Sequence, residues 1–194
     1  MLIDLIEWAA RIVPWLALAL GVVALGAVPL YLSRARVTSR ARAAAWTAQD
    51  ALIVGSIVTI AAFTGRPGFG TEGETPTFNL VPFSDFIRSL DLSRVYIGIA
   101  LGNLIGNVLL FVPLGVALAL RYRGLGVLGT VAVCAALSIA VEAWQAVSGT
   151  GRNADITDVL TNTFGGALGH LVVRALGPIE PSGMQRGRPA GRTR

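Results

Sequence analysis

The sequence predicts an all-α, polytopic membrane protein: a bundle of about five transmembrane helices with one short interfacial helix. Three observations carry this. Of 194 residues, 54% are hydrophobic and only 14% charged, with a mean hydropathy of +0.66, a membrane composition rather than a soluble one. The apolar residues fall into five runs near the roughly 20 residues that a helix needs to cross a hydrocarbon core about 30 Å thick. The basic residues, all of them arginine, cluster at the ends of those runs, where membrane topology places them. That placement argues against a nucleic-acid partner despite the net charge of +5.

The first run covers about residues 12–32. Pro14 falls in its expected first turn, where a missing N–H costs little, and Trp15 and Tyr31 stand near its two ends as interfacial aromatics. Asp4 and Glu7 occupy positions that are basic in a signal peptide, so the run reads as a retained helix. A polybasic loop follows, with Arg34, Arg36, Arg40 and Arg42. The second run, about 43–63, is clean only from Ala51, and Asp50 reads as a snorkelling carboxylate or one paired with Arg42. Residues 1–64 thus form an N-terminal pair of helices.

Residues 65–94 make an external loop. It opens with turn residues and continues into an amphipathic stretch in which Phe83, Phe86, Ile87 and Leu90 follow helical spacing. Such a segment lies flat in the interface, with Ser84 as its expected cap and Asn79 and Pro82 setting the entry to it.

Residues 95–176 hold three further runs, about 95–120, 126–147 and 155–176. The third run contains Gly98, Gly102 and Gly106, whose spacing suits close helix approach. It also holds Asn103 and Asn107 on one face, and Pro113, which deprives the Leu109 carbonyl of its donor. The fourth run places Glu142 and Gln145 on one face. The fifth carries Asp155, Asp158 and Asn162 on another, then Gly165, Gly166 and Gly169. Residues 177–194 form a basic tail with the composition of a disordered segment. Cys134, the only cysteine, reads as a small buried hydrophobe, and His170 as a packing residue. No metal motif and no cofactor signature is present.

With the N-terminus outside and the C-terminus cytoplasmic, eleven arginines (34, 36, 40, 42, 121, 123, 174, 186, 188, 192, 194) lie inside and five (11, 66, 88, 94, 152) outside, as the positive-inside rule prefers. At 1.5 Å per residue, Asn103 then sits roughly 9–12 Å below the outer edge, Glu142 and Gln145 about 8 and 3 Å, and Asp158 and Asn162 about 3 and 9 Å. Polar groups from three helices converge in the outer half, beneath Arg152 and Asp155. Interhelical glue would account for the amides. Three carboxylates facing Arg152 call for protons, water or a bound group as well.

At these residues the chain resembles the VanZ-like family of small bacterial membrane proteins. The blocks that carry the resemblance are Asn79-Leu80-Val81-Pro82-Phe83, Asn107 through Gly115, Glu142 with Gln145, and Arg152, Asp155 and Asp158 followed by Asn162-Thr163-Phe164-Gly165-Gly166. They cover about residues 79–176. The resemblance implies a bacterial plasma-membrane protein facing the cell envelope, in a family named for a member that gives low-level resistance to the lipid-tailed glycopeptide teicoplanin.

The reading that follows is an outward-facing polar cleft that binds an envelope amphiphile, a lipid-linked precursor or a lipoglycopeptide. It is built from Asn79, Pro82, Phe83, Asn103, Asn107, Glu142, Gln145, Arg152, Asp155, Asp158 and Asn162. Two other classes stay open. One is a membrane enzyme using Glu142 or Asp158 as its base on a lipid-linked substrate. The other is a structural protein that docks a membrane partner through its glycine-rich helix faces.

Overall fold

A computed structural model describes residues 2–64, 78–148 and 154–177, with the side chains of residues 2–12 and 15 excluded. The opening of the loop expected to be external, Arg152 at the expected hairpin tip, the Trp15 ring and the tail beyond Gly177 lie outside the described residues. The elements run α1 (Leu2–Ala35), α2 (Arg40–Thr64), β1 (Phe78–Asn79), α3 (Ser84–Leu90), α4 (Arg94–Arg121), α5 (Gly126–Val147), β2 (Ala154–Asp155) and α6 (Ile156–Leu176). The protein is nearly all helical. The apolar part of α1 from Leu16, together with α2, α4 and α5, is long and apolar enough to cross a membrane. α6 has comparable length, 21 residues, but Asp158, Asn162, His170 and its threonines lower its hydropathy.

α1 is longer than its apolar run, so Pro14 lies inside the helix, as does Pro29. A proline removes one ladder bond without ending a helix whose other backbone groups gain from staying paired. α1 packs against α2, and Leu18, Val22, Leu25 and Leu32 point away from the protein, as lipid-facing side chains do.

Asp50 is paired, but not with Arg42. Its carboxylate takes Nη2 of Arg34 at 2.5 Å and Nε of Arg121 at 2.6 Å, so one acid ties the ends of α1 and α4 to α2. Arg42 lies on α2 itself, about two turns before Asp50, while the α1–α2 hairpin brings Arg34 back alongside Asp50. Above this clamp Ile60, Phe111, Leu114, Leu118 and Cys134 form the buried core.

The tightest contact is between α4 and α6. A Cβ on Gly165 or Gly169 would run into the backbone carbonyls of Val108 and Val112, and one on Gly115 into the Gly166 carbonyl. Glycine here lets two backbones touch, a geometry suited to Cα–H···O contacts. The predicted stripe of Gly98, Gly102 and Gly106 is not used this way. Nothing lies within 4 Å of a Cβ at any of the three, and that face of α4 is open.

Candidate functional site

The site is organised by the start of α6. Asp155 is the N-cap of that helix, and its Oδ1 accepts from the Thr157 N–H at 2.7 Å. The reach-back that a carboxylate three residues on would make in a capping box comes instead from α5: Oε2 of Glu142 accepts the Asp155 N–H at 2.9 Å. Asp158, at that third position, accepts from Nδ2 of Asn107 on α4 at 2.6 Å. The three carboxylates therefore gather at the positive end of a helix dipole, with backbone and amide donors aimed at them. This weakens the argument from charge excess, which set them against Arg152 alone.

The loop before α3 joins the same point. β1 and β2 pair in parallel, Phe78 with Ala154 and Asn79 with Asp155. Nδ2 of Asn79 donates to Asp155 Oδ2 at 2.9 Å and to Ser84 Oγ at 2.6 Å. Its Oδ1 accepts from the Val81 N–H at 3.2 Å, an Asx turn. Ser84 is thus the first residue of α3 rather than its cap. The cap position belongs to Phe83, with φ 58° and ψ 16° and no side-chain cap bond.

Val81-Pro82-Phe83-Ser84 closes through Ser84 N–H to the Val81 carbonyl at 3.3 Å. Proline second and a positive φ third is the pattern of a type II turn, where glycine or asparagine normally stands. A bulky residue there is strained by about 1–3 kcal/mol. The Phe83 N–H donates to Thr157 Oγ1 at 2.9 Å, which anchors the turn to α6.

What this strained turn presents is a two-part hollow. A cavity of about 60 Å³ is lined by Phe83, Asp85, Asn103, Asp155, Thr157 and Asp158, with Phe86, Ala100 and Leu104, room for a few waters or one small polar group. Beside it lies an apolar groove of about 250 Å³, lined by Phe83, Leu104, Ile105, Val108, Leu109 and Thr161. Phe83 and Leu104 belong to both.

Of the residues singled out from the sequence, Phe83, Asn103, Asp155 and Asp158 line the cavity. Asn79, Pro82, Asn107 and Glu142 hold it in shape. Gln145 is turned away, its Nε2 donating to the Thr64 carbonyl at the end of α2 at 2.9 Å. Asn162 lies deeper, 2% exposed, donating to Ser138 Oγ at 2.9 Å. Below it Cys134 meets Gly166 and Thr130 meets His170 at 2.8 Å, so a buried polar seam descends between α5 and α6. The sequence reading missed Asp85 and Thr157. The Asp-x-Thr-Asp pattern at residues 155–158 is an N-cap signal that would have found Thr157. Among the described residues no group of three or more His, Cys, Asp or Glu could hold a metal ion.

Comparison with known proteins agrees with this core. The match to the VanZ/LLP1 family covers residues 51–177. Protein VanZ of Enterococcus faecium is 40% identical over 85 residues, 42% of this chain. The chain spans about half (50%) of that relative's length. No solved structure matches. Four helices fit to cross a membrane and a family match over most of the chain make this a membrane protein, and the chain belongs to the VanZ/LLP1 family.

Proposed function

We propose that the protein is a multi-pass plasma-membrane protein that binds an amphiphile of the cell envelope, with one hydroxyl or amide group of its polar head seated in the cavity, the rest of the head outside it, and a chain along the groove. The observation that carries this is the junction at Phe83 and Leu104, where a cavity with polar and charged walls opens beside an apolar channel. Each CH₂ buried there contributes about 0.8 kcal/mol. Asp155, Asp158 and Asn103 offer acceptors and an amide, which suits a head rich in hydroxyl and amide donors, as in a lipid-linked precursor or a lipoglycopeptide. The arginine distribution supports an outer-leaflet position for this hollow. The E. faecium relative makes altered teicoplanin susceptibility a physiological reading of the same binding.

The test is lipid analysis and native mass spectrometry of the purified protein beside two variants. Leu104→Trp fills the junction, and Phe83→Gly removes the shared wall while relieving the turn. Both variants are expected to fold and to lose co-purifying amphiphile at least fivefold. Phe83→Gly should melt no lower than the parent, because lost packing and lost strain are of similar size. Unchanged bound lipid in both variants would remove the reading, and a fall in stability without a change in bound lipid would make the loop purely structural.

A further inference from the structure

The opposite end of the bundle carries a charged cluster that the cavity does not use. Asp50 accepts from both Arg34 and Arg121, so the cluster keeps one uncompensated positive charge. Its members are only partly covered, with side-chain exposures of 20% for Arg34, 22% for Asp50 and 27% for Arg121. Arg121 is held in a fixed pose. Its Nε is fastened to Asp50, and its guanidinium carbon lies 5.3 Å from the centroid of the Tyr122 ring. Among the described residues no protein acceptor engages its two terminal nitrogens, which leaves the flat end of the fork for a planar pair of oxygens.

Position supports the same partner. α4 has 28 residues, about 40 Å of helix, enough to put Arg94 and Arg121 at the two headgroup levels of a bilayer about 40–45 Å thick overall. Arg36, Arg40, Arg42 and Arg123 are exposed at the same end, while Asp85, Asp91, Asp155 and Asp158 stand at the other. Exposed Trp46 and Tyr122 fit an interfacial belt.

We infer that Arg121, oriented by Asp50 and supported by Arg34, forms a headgroup site for an anionic phospholipid, its fork on the phosphodiester oxygens. The surplus guanidinium charge selects a headgroup of net negative charge over a zwitterionic one. The site is remote from the cavity at the start of α6 and does not depend on what that cavity binds.

The full-length protein, delipidated in mild detergent, is offered equal phosphatidylglycerol and phosphatidylcholine of identical chains, and retained lipid is read by native mass spectrometry. Parent protein should retain phosphatidylglycerol about fivefold or more over phosphatidylcholine, as about 1 kcal/mol per arginine near the surface provides. Arg121→Gln should bring the ratio close to one. Arg123→Gln removes an exposed neighbouring charge without the Asp50 anchor and should keep most of it. Asp50→Asn adds net positive charge but loosens the anchor of Arg121, so it should lower the ratio; a rise would mark a diffuse field and overturn the proposal, which decides the matter if Arg121→Gln fails to fold. Equal retention of the two lipids by the parent overturns the proposal, as does an equal fall in the Arg121 and Arg123 variants, the mark of a diffuse field. Release of phosphatidylglycerol by millimolar inorganic phosphate would show a free-anion site and overturn it too.

Discussion

Gly165 and Gly102 are both helical glycines with glycine neighbours at three- or four-residue spacing, yet their surroundings differ completely. Gly165 faces the Val108 carbonyl across the α4–α6 contact, while Gly102 faces open space. Gly165→Ala must push two backbones apart, and overpacking of this kind costs about 1–3 kcal/mol. Gly102→Ala exchanges a poor helix former for a good one and should be neutral or slightly stabilising, by up to about 1 kcal/mol. Thermal melts of the two variants in one detergent check this, and equal shifts would mean that the α4–α6 contact is looser than described. The spacing of small residues licenses close approach but does not name the partner. Which stripe is used depends on where α6 docks, and that depends on contacts such as Asn107 with Asp158, 51 residues apart, which no local pattern contains.

The elements themselves were largely legible, because a membrane imposes length. The fourth apolar run has the bounds of α5, Gly126–Val147, and the third differs from α4 by one residue at each end. The start of α6 was less so. Counting Asp155 as the first helical residue hid its role as N-cap, and two-residue strands like β1 and β2 have no periodicity to detect. The resemblance to VanZ-like proteins nonetheless drew attention to the blocks that meet there. Glu142 is the cross-brace between α5 and α6. Glu142→Gln keeps an acceptor oxygen for the Asp155 N–H and should cost little. Glu142→Leu leaves that N–H stranded in a part-buried site and should destabilise by about 1–3 kcal/mol. Denaturation in detergent measures the difference. Equal effects would mean that the charge of Glu142, and not its acceptor geometry, sets its contribution.

At the scale of the whole molecule, the two ends differ in charge and in construction. One end is arginine with Asp50 as its single acid among the described residues. The other gathers Asp155, Asp158 and Glu142 around the N-terminus of α6, tied by an N-cap, an Asx turn and a parallel pair of strands. Contacts decide which ends lie together: Asp50 joins the α1 and α4 ends, and Asn79 joins the loop before α3 to α6. They are silent on which end faces the cytoplasm, because a bundle packs identically in either sense. That choice rests on the interaction of arginine with the bilayer and the insertion machinery, toward which the sequence offers its charge asymmetry. Cys134 makes it simple to test, since it is 0% exposed and gives little background with a bulky maleimide. Thr150→Cys should be labelled in intact cells by a membrane-impermeant maleimide, and Arg186→Cys only after permeabilisation. The reverse pattern would place the cavity in the inner leaflet, where an envelope ligand exposed only outside could not reach it, while the phospholipid site at Arg121 would remain possible in the outer one.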